Sequence, residues 1–163
     1  MSRYIKFIFI SIIFIVLQTT VANIISIRGI SPDFLLIWIV LIAIRYGQIE
    51  STLFGFAIGL LYDLATGGVI GLSSLSKSVS GFMAGYFFNE NKTEITLSTY
   101  RFLLIVLLTS LIHNLFYYLI YLQGSEINTF RSIVMIGGIT ALYTTTISLL
   151  PVFIFMRKYS FIR

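Results

Sequence analysis

The chain has 163 residues, of which 58% are hydrophobic, 16% aromatic and only 10% charged. That leaves too few polar side chains to cover a water-soluble globule of this size, so lipid is the expected solvent. The formal charge of +5 is carried by basic residues placed singly or in pairs at the ends of apolar runs, which is the pattern of topology signals and not of a nucleic-acid partner. The absence of cysteine excludes disulfides, thiolate catalysis and thiolate metal sites.

Apolar stretches of roughly 20 residues recur along the chain and leave almost nothing for an extramembrane domain. Residues 1–163 therefore read as one all-α integral membrane domain, a polytopic bundle of about six transmembrane helices. The first run, from about Phe7 to Ile27, follows Arg3 and Lys6 as a signal peptide would, but it is longer and lacks a small-x-small cleavage pattern, so it reads as a retained helix. Ser31-Pro32-Asp33 opens the second helix with a cap and a proline. That helix reaches only to about Tyr46, roughly 22 Å, short enough for a re-entrant segment to remain an alternative. A third helix covers about Ser51 to Thr66, the glycine-rich link Gly67 to Gly71 turns the chain, and a fourth covers about Leu72 to Phe88. After a polar loop from Asn89 to Thr99, a fifth helix runs from about Tyr100 to Leu122. A loop holding Gly124 to Asn128 leads to a sixth, from about Phe130 to Met156, whose last turns Pro151 should kink.

Cytoplasmic loops retain lysine and arginine. With both termini inside and six spans, the inner side holds Arg3, Lys6, Arg45, Lys92, Arg101, Arg157, Lys158 and Arg163, and the outer side only Arg28 and Arg131. A second helix that failed to cross would erase most of this excess, which favours six crossings. Tyr4, Tyr46, Tyr86, Tyr100, Tyr117, Tyr118, Tyr121 and Tyr159 cluster toward helix ends, where interfacial anchors sit.

Asp63 and Lys77 lie inside apolar segments, where each costs about 2.5–3.5 kcal/mol near a helix centre if unpaired. Gly55, Gly59 and Asp63 follow at i, i+4 and i+8, as do Lys77, Gly81 and Gly85, so each set forms one stripe ending in a charge. A hairpin turning about Ile70 sets Asp63 opposite Lys77, Gly59 opposite Gly81 and Gly55 opposite Gly85. The expectation is a tight hairpin closed by an Asp63–Lys77 ion pair. The plain reading makes both features structural. The sharper one makes the glycine hairpin the place where a partner helix docks or a ligand enters.

Other polar residues within the spans are Gln18, Thr19, Thr20 and Asn23 in the first helix and His113 with Asn114 in the fifth. A lone neutral histidine hydrogen-bonded between helices is the plain reading of His113, against a proton-relay or ligand role. No metalloprotease, nucleophile-elbow or phosphate-loop motif is present, and no paired carboxylates suggest acid/base work. Ser76 and Ser78 flank Lys77, but neighbours in a helix point about 100° apart, which speaks against a serine-lysine dyad. Neither a cofactor nor a metal is expected.

Ser31 to Leu36, the run G-x-x-x-G-L-L-x-D-L-x-x-G-x-x-x-G-L from Gly55 to Leu72, and the closing Met156-Arg157-Lys158 resemble the bacterial rod shape-determining protein MreD family over most of the chain. The resemblance implies a non-enzymatic component of the cell-elongation machinery in the bacterial cytoplasmic membrane, a scaffold for lateral peptidoglycan synthesis. It implies association with a bitopic MreC-like protein and, through it, with an MreB-like filament, a RodA-like glycosyltransferase and a class B penicillin-binding transpeptidase. The family is also similar in architecture to substrate-binding subunits of energy-coupling-factor transporters, so a vitamin or small-molecule transporter subunit is the alternative. That alternative predicts a polar pocket at the outer end, lined by the turn between the third and fourth helices and by the fifth.

Overall fold

The structure, a computed structural model, describes residues 2–123 and 129–160. The expected loop Gly124 to Asn128, the terminal Arg163 and the side chains of Arg3, Lys158 and Tyr159 lie outside the described residues. The described chain is helical: α1 (Ser2–Ile24), α2 (Phe34–Tyr46), α3 (Gln48–Thr66), α4 (Leu72–Gly85), the short α5 (Thr93–Leu97) and α6 (Tyr100–Tyr121). A last interrupted rod follows, made of α7 (Thr129–Ser132), a π turn over Ile133–Gly137, α8 (Gly138–Ile147) and α9 (Leu149–Ser160).

Among the described residues four helices are long and apolar enough to cross a membrane: Tyr4–Ile24, Gln48–Thr66, Tyr100–Tyr121 and Phe130–Arg157. The two shorter ones, α2 and α4, lie inside. Of the 13 residues of α2, Leu35, Leu36, Ile37, Ile39, Val40, Ile42, Ala43 and Ile44 are buried. A helix apolar on every side belongs in a core, and α2 packs against α1, α3, α4 and α6. Its shortness follows from this position, since its surroundings are other helices and it need not match the thickness of the lipid. In α4 the inward groups are small and polar, with Ser73, Ser74, Ser76, Ser80, Gly81 and Gly85 buried.

The chain turns sharply at three points where the residues allow left-handed or open backbone. Arg28 and Gly29 both have positive φ (53° and 81°), and Ile27 and Ile30 exchange two backbone hydrogen bonds of 3.0 Å across them, a tight two-residue turn. Gly47 (φ 87°) alone separates α2 from α3, and Gly67 (φ 67°) ends α3. The polar loop expected from Asn89 to Thr99 contains α5. The last rod breaks at Ser148, earlier than the kink expected in the final turns. Proline in a helix lacks an N–H and crowds the carbonyl four residues back, and four residues before Pro151 lies Ile147, the end of α8.

The α3–α4 hairpin is as tight as expected, but in a different register. A Cβ on Gly55 would lie 2.6 Å from the Lys77 carbonyl, one on Gly59 2.5 Å from the Ser74 Cα, and one on Gly81 2.5 Å from the Ser51 carbonyl; Gly85 abuts Gln48. Each glycine thus faces the partner backbone and not another glycine, and Gly85 lies about two turns nearer the start of α3 than the pairing with Gly55 requires. Hydroxyls hold the contact: Ser51 Oγ donates to the Gly81 carbonyl at 2.8 Å and Ser74 Oγ to the Phe56 carbonyl at 3.0 Å. The four glycines are therefore consumed within the chain's own hairpin, and the docking groove expected along them is filled.

Gly59→Ala is expected to lower stability in detergent by about 1–3 kcal/mol, the cost of forcing a methyl into a filled contact. Gly138→Ala, where the backbone is helical and a Cβ meets nothing within 4 Å, should leave it unchanged or raise it by up to about 1 kcal/mol. Thermal unfolding of both variants followed by circular dichroism checks this contrast.

Candidate functional site

The expected Asp63–Lys77 ion pair is not formed. Lys77 Nζ donates instead to Asp33 Oδ2 at 2.6 Å. Asp63, 3% exposed, accepts from backbone amides at the start of α4: Gly71 N at 2.9 Å and Ser73 N at 3.1 Å, with Ser74 N at 3.5 Å. Its carboxylate serves the unpaired amides and positive end of the α4 dipole, a placement that needs no lysine. The same bonds explain the register: they seat the first turn of α4 beside Asp63, one turn inside the end of α3. A turn symmetric about Ile70 would have set that first turn beyond it.

Asp33 occupies the N-cap of α2, where its Oδ1 accepts from Leu36 N at 2.9 Å. Oδ2 is left for Lys77 and lies 3.5 Å from His113 Nε2. One carboxylate therefore joins the start of α2, the middle of α4 and the second half of α6. Lys77 is 2% exposed and His113 6%, and the ammonium also stands 5.7 Å over the Tyr62 ring. Burying charges in this way is tolerable only when they are paired and hydrogen-bonded. The other His113 nitrogen, Nδ1, is buried with no hydrogen bond of ordinary geometry among the described residues, although the Ser76 backbone lies close to the ring.

The segment carrying Asp33 is strapped down from both sides. Gln18 of α1 donates its Nε2 to the Pro32 carbonyl at 3.0 Å and accepts from Phe34 N at 2.7 Å. Thr144 of α8 accepts from Asp33 N at 3.0 Å, and Tyr143 donates to the Ile25 carbonyl at 2.8 Å. Asn114 Nδ2 donates to the carbonyl of Gly137, which closes the π turn, at 2.9 Å. Wide turns disturb the regular ladder and admit a side chain at such a point.

These groups surround a cavity of about 150 Å³. Asp33, Lys77 and His113 line it with Gln18, Asn114 and the tyrosines 62, 117 and 118. Of the residues singled out in the sequence, Gln18, Lys77, His113 and Asn114 thus converge here, while Asp63 and the four glycines lie in the hairpin. Asp33 is the member that the sequence reading missed: it sets the cap before Pro32 and puts Asp33 in the first turn of the helix, whereas Asp33 is itself the N-cap and the helix starts at Phe34. The signal available was arithmetic: two acids, Asp33 and Asp63, stand near apolar segments with one lysine, so pairing Lys77 with Asp63 was a choice between two partners. Among the described residues no cluster of three or more His, Cys, Asp or Glu could hold a metal.

The revised pairing predicts a distinct pattern of couplings. Lys77→Met should destabilise by about 3–5 kcal/mol, because it leaves Asp33 buried without its cation, and the double variant with Asp33→Asn should recover a large part of that loss. Lys77→Met combined with Asp63→Asn should instead be additive within about 0.5 kcal/mol. Double-mutant cycles measured by unfolding in detergent distinguish the two, and coupling confined to the Asp63 pair would reject the geometry.

The comparisons with known proteins agree with the resemblance carried by the motifs. No curated protein and no solved structure matches the chain, and the likeness to energy-coupling-factor subunits, with the transporter reading attached to it, gains no support from them. A family model does match: that of the rod shape-determining protein MreD, over residues 1–160. The chain belongs to the rod shape-determining protein MreD family.

Proposed function

We propose that this rod-shape-determining membrane component works as a non-enzymatic scaffold that binds a bitopic MreC-like partner in the bacterial cytoplasmic membrane. Through that partner it would support lateral peptidoglycan synthesis together with an MreB-like filament, a RodA-like glycosyltransferase and a class B transpeptidase. The observation that carries this reading is the family match over nearly the whole chain. The cross-linking of the bundle supports it: three elements meet on one carboxylate, a construction suited to presenting a fixed outer surface. On this reading α2 and α4 also cross the membrane, giving six spans with both termini in the cytoplasm, in accord with the basic residues near the ends of α2, α6 and α9.

The partner's membrane helix would lie on the outer apolar faces and not in the glycine hairpin, which is closed. The face of α1 carrying Ile5, Phe9, Ile12 and Val16 is exposed, as is that of α8 and α9 carrying Ile139, Leu142, Leu150 and Phe153. Affinity capture of the full-length chain from native membranes, followed by mass spectrometry, tests the assignment. An MreC-like bitopic protein should be enriched together with the chain. Its absence from a preparation in which the captured chain retains its native unfolding transition would overturn the proposal.

A further inference from the structure

A second cavity, of about 310 Å³, opens at the other end of the bundle. It lies where the α4–α5 connection and α5 meet the start of α6, and its lining divides into two chemical halves. Lys92, Arg101, Asn89 and Thr96 supply charge and hydrogen-bonding groups, while Phe87, Leu104 and Ile105 supply an apolar wall. No carboxylate lines it. Glu90 and Glu94 flank Lys92 in the sequence, yet among the described residues neither Lys92 nor Arg101 is in an ion pair.

The cavity also sits at the N-terminus of α6, a helix of 22 residues whose N-cap, Thr99, makes no side-chain hydrogen bond to the first turn. Phe102 N turns back to the Thr99 carbonyl at 3.1 Å, but the positive end of the helix dipole still favours an anion there. Two cations without carboxylate partners strengthen that preference. The apolar wall decides the source of the anion. A free phosphate makes no use of the exposed Phe87 and Leu104, whereas a lipid puts its glycerol and first acyl carbons against them.

We propose that this cavity is a binding site for an anionic phospholipid, with the phosphodiester held by Lys92 and Arg101 at the positive end of α6 and the acyl chain leaving along Leu104. Basic pockets at the ends of membrane helices recognise charged head groups through this combination of cations and apolar surface. The site is separate from the Asp33, Lys77 and His113 cluster and does not depend on the scaffold reading.

The test uses the full-length chain, stripped of lipid in detergent and titrated with phosphatidylglycerol or phosphatidylcholine, with occupancy read by native mass spectrometry. Phosphatidylglycerol should bind more tightly than phosphatidylcholine. Lys92→Gln and Arg101→Gln should each weaken it about fivefold, matching about 1 kcal/mol for each basic residue near a membrane surface. Either single variant gives the reading should the double variant fail to fold, and Arg28→Gln, in the turn before α2, should leave binding unchanged. Equal binding of the two lipids, or unchanged phosphatidylglycerol binding in both single variants, would overturn the proposal. So would displacement of the lipid by millimolar inorganic phosphate, which would make the occupant a soluble oxyanion.

Discussion

The bundle is organised by one largely buried carboxylate. Asp33 caps α2 with one oxygen and holds Lys77 of α4 with the other, close to His113 of α6. In a low-dielectric interior such an arrangement has few alternatives, because any shift that separates the ammonium from the carboxylate strands both. The surrounding hydrogen bonds from Gln18 and Thr144 fix the backbone on either side of Asp33. Polar interactions specify the architecture here, where apolar packing alone would discriminate weakly between helix registers in lipid.

A division of labour between the two buried acids follows. Asp63 satisfies the exposed amides of a helix start, and Asp33 both caps a helix and neutralises a lysine. Together they tie the short inner helices α2 and α4 to the longer outer ones. The glycines then allow α3 and α4 to approach until serine hydroxyls reach carbonyls across the gap. Tight backbone contact and buried charge are therefore two parts of one device, since the close approach of α3 and α4 carries Lys77 to the level of Asp33.

The helical layout was largely legible because apolar runs, glycine turns and the Ser-Pro-Asp cap each have a local cause. The segment expected from Tyr100 to Leu122 is found as Tyr100–Tyr121, whereas α2, expected from Pro32 behind a Ser31 cap, begins at Phe34 with Asp33 itself as the cap. Register was not legible in the same way. Stripe periodicity shows that Gly55, Gly59, Gly81 and Gly85 share a face with their charges, but it does not say how far one helix slides along the other. That offset depends on where the link from Gly67 to Gly71 doubles back, and Asp63 sets it by binding amides whose availability appears only once α4 has begun. The convergence of Gln18, Lys77, His113 and Asn114 was hidden for a related reason: their common centre lies on an irregular segment, outside the reach of helical periodicity.

The burial of α2 and the serine content of α4 also bear on how the protein enters the bilayer. Alone, α4 offers lipid a lysine and five serines within 14 residues, a segment the translocon would release poorly. In the folded bundle Ser76, Ser78 and Ser80 turn their hydroxyls back to carbonyls of α4, Ser74 reaches α3, and Asp33 meets the ammonium, so the charge is the group that depends on the neighbours being in place.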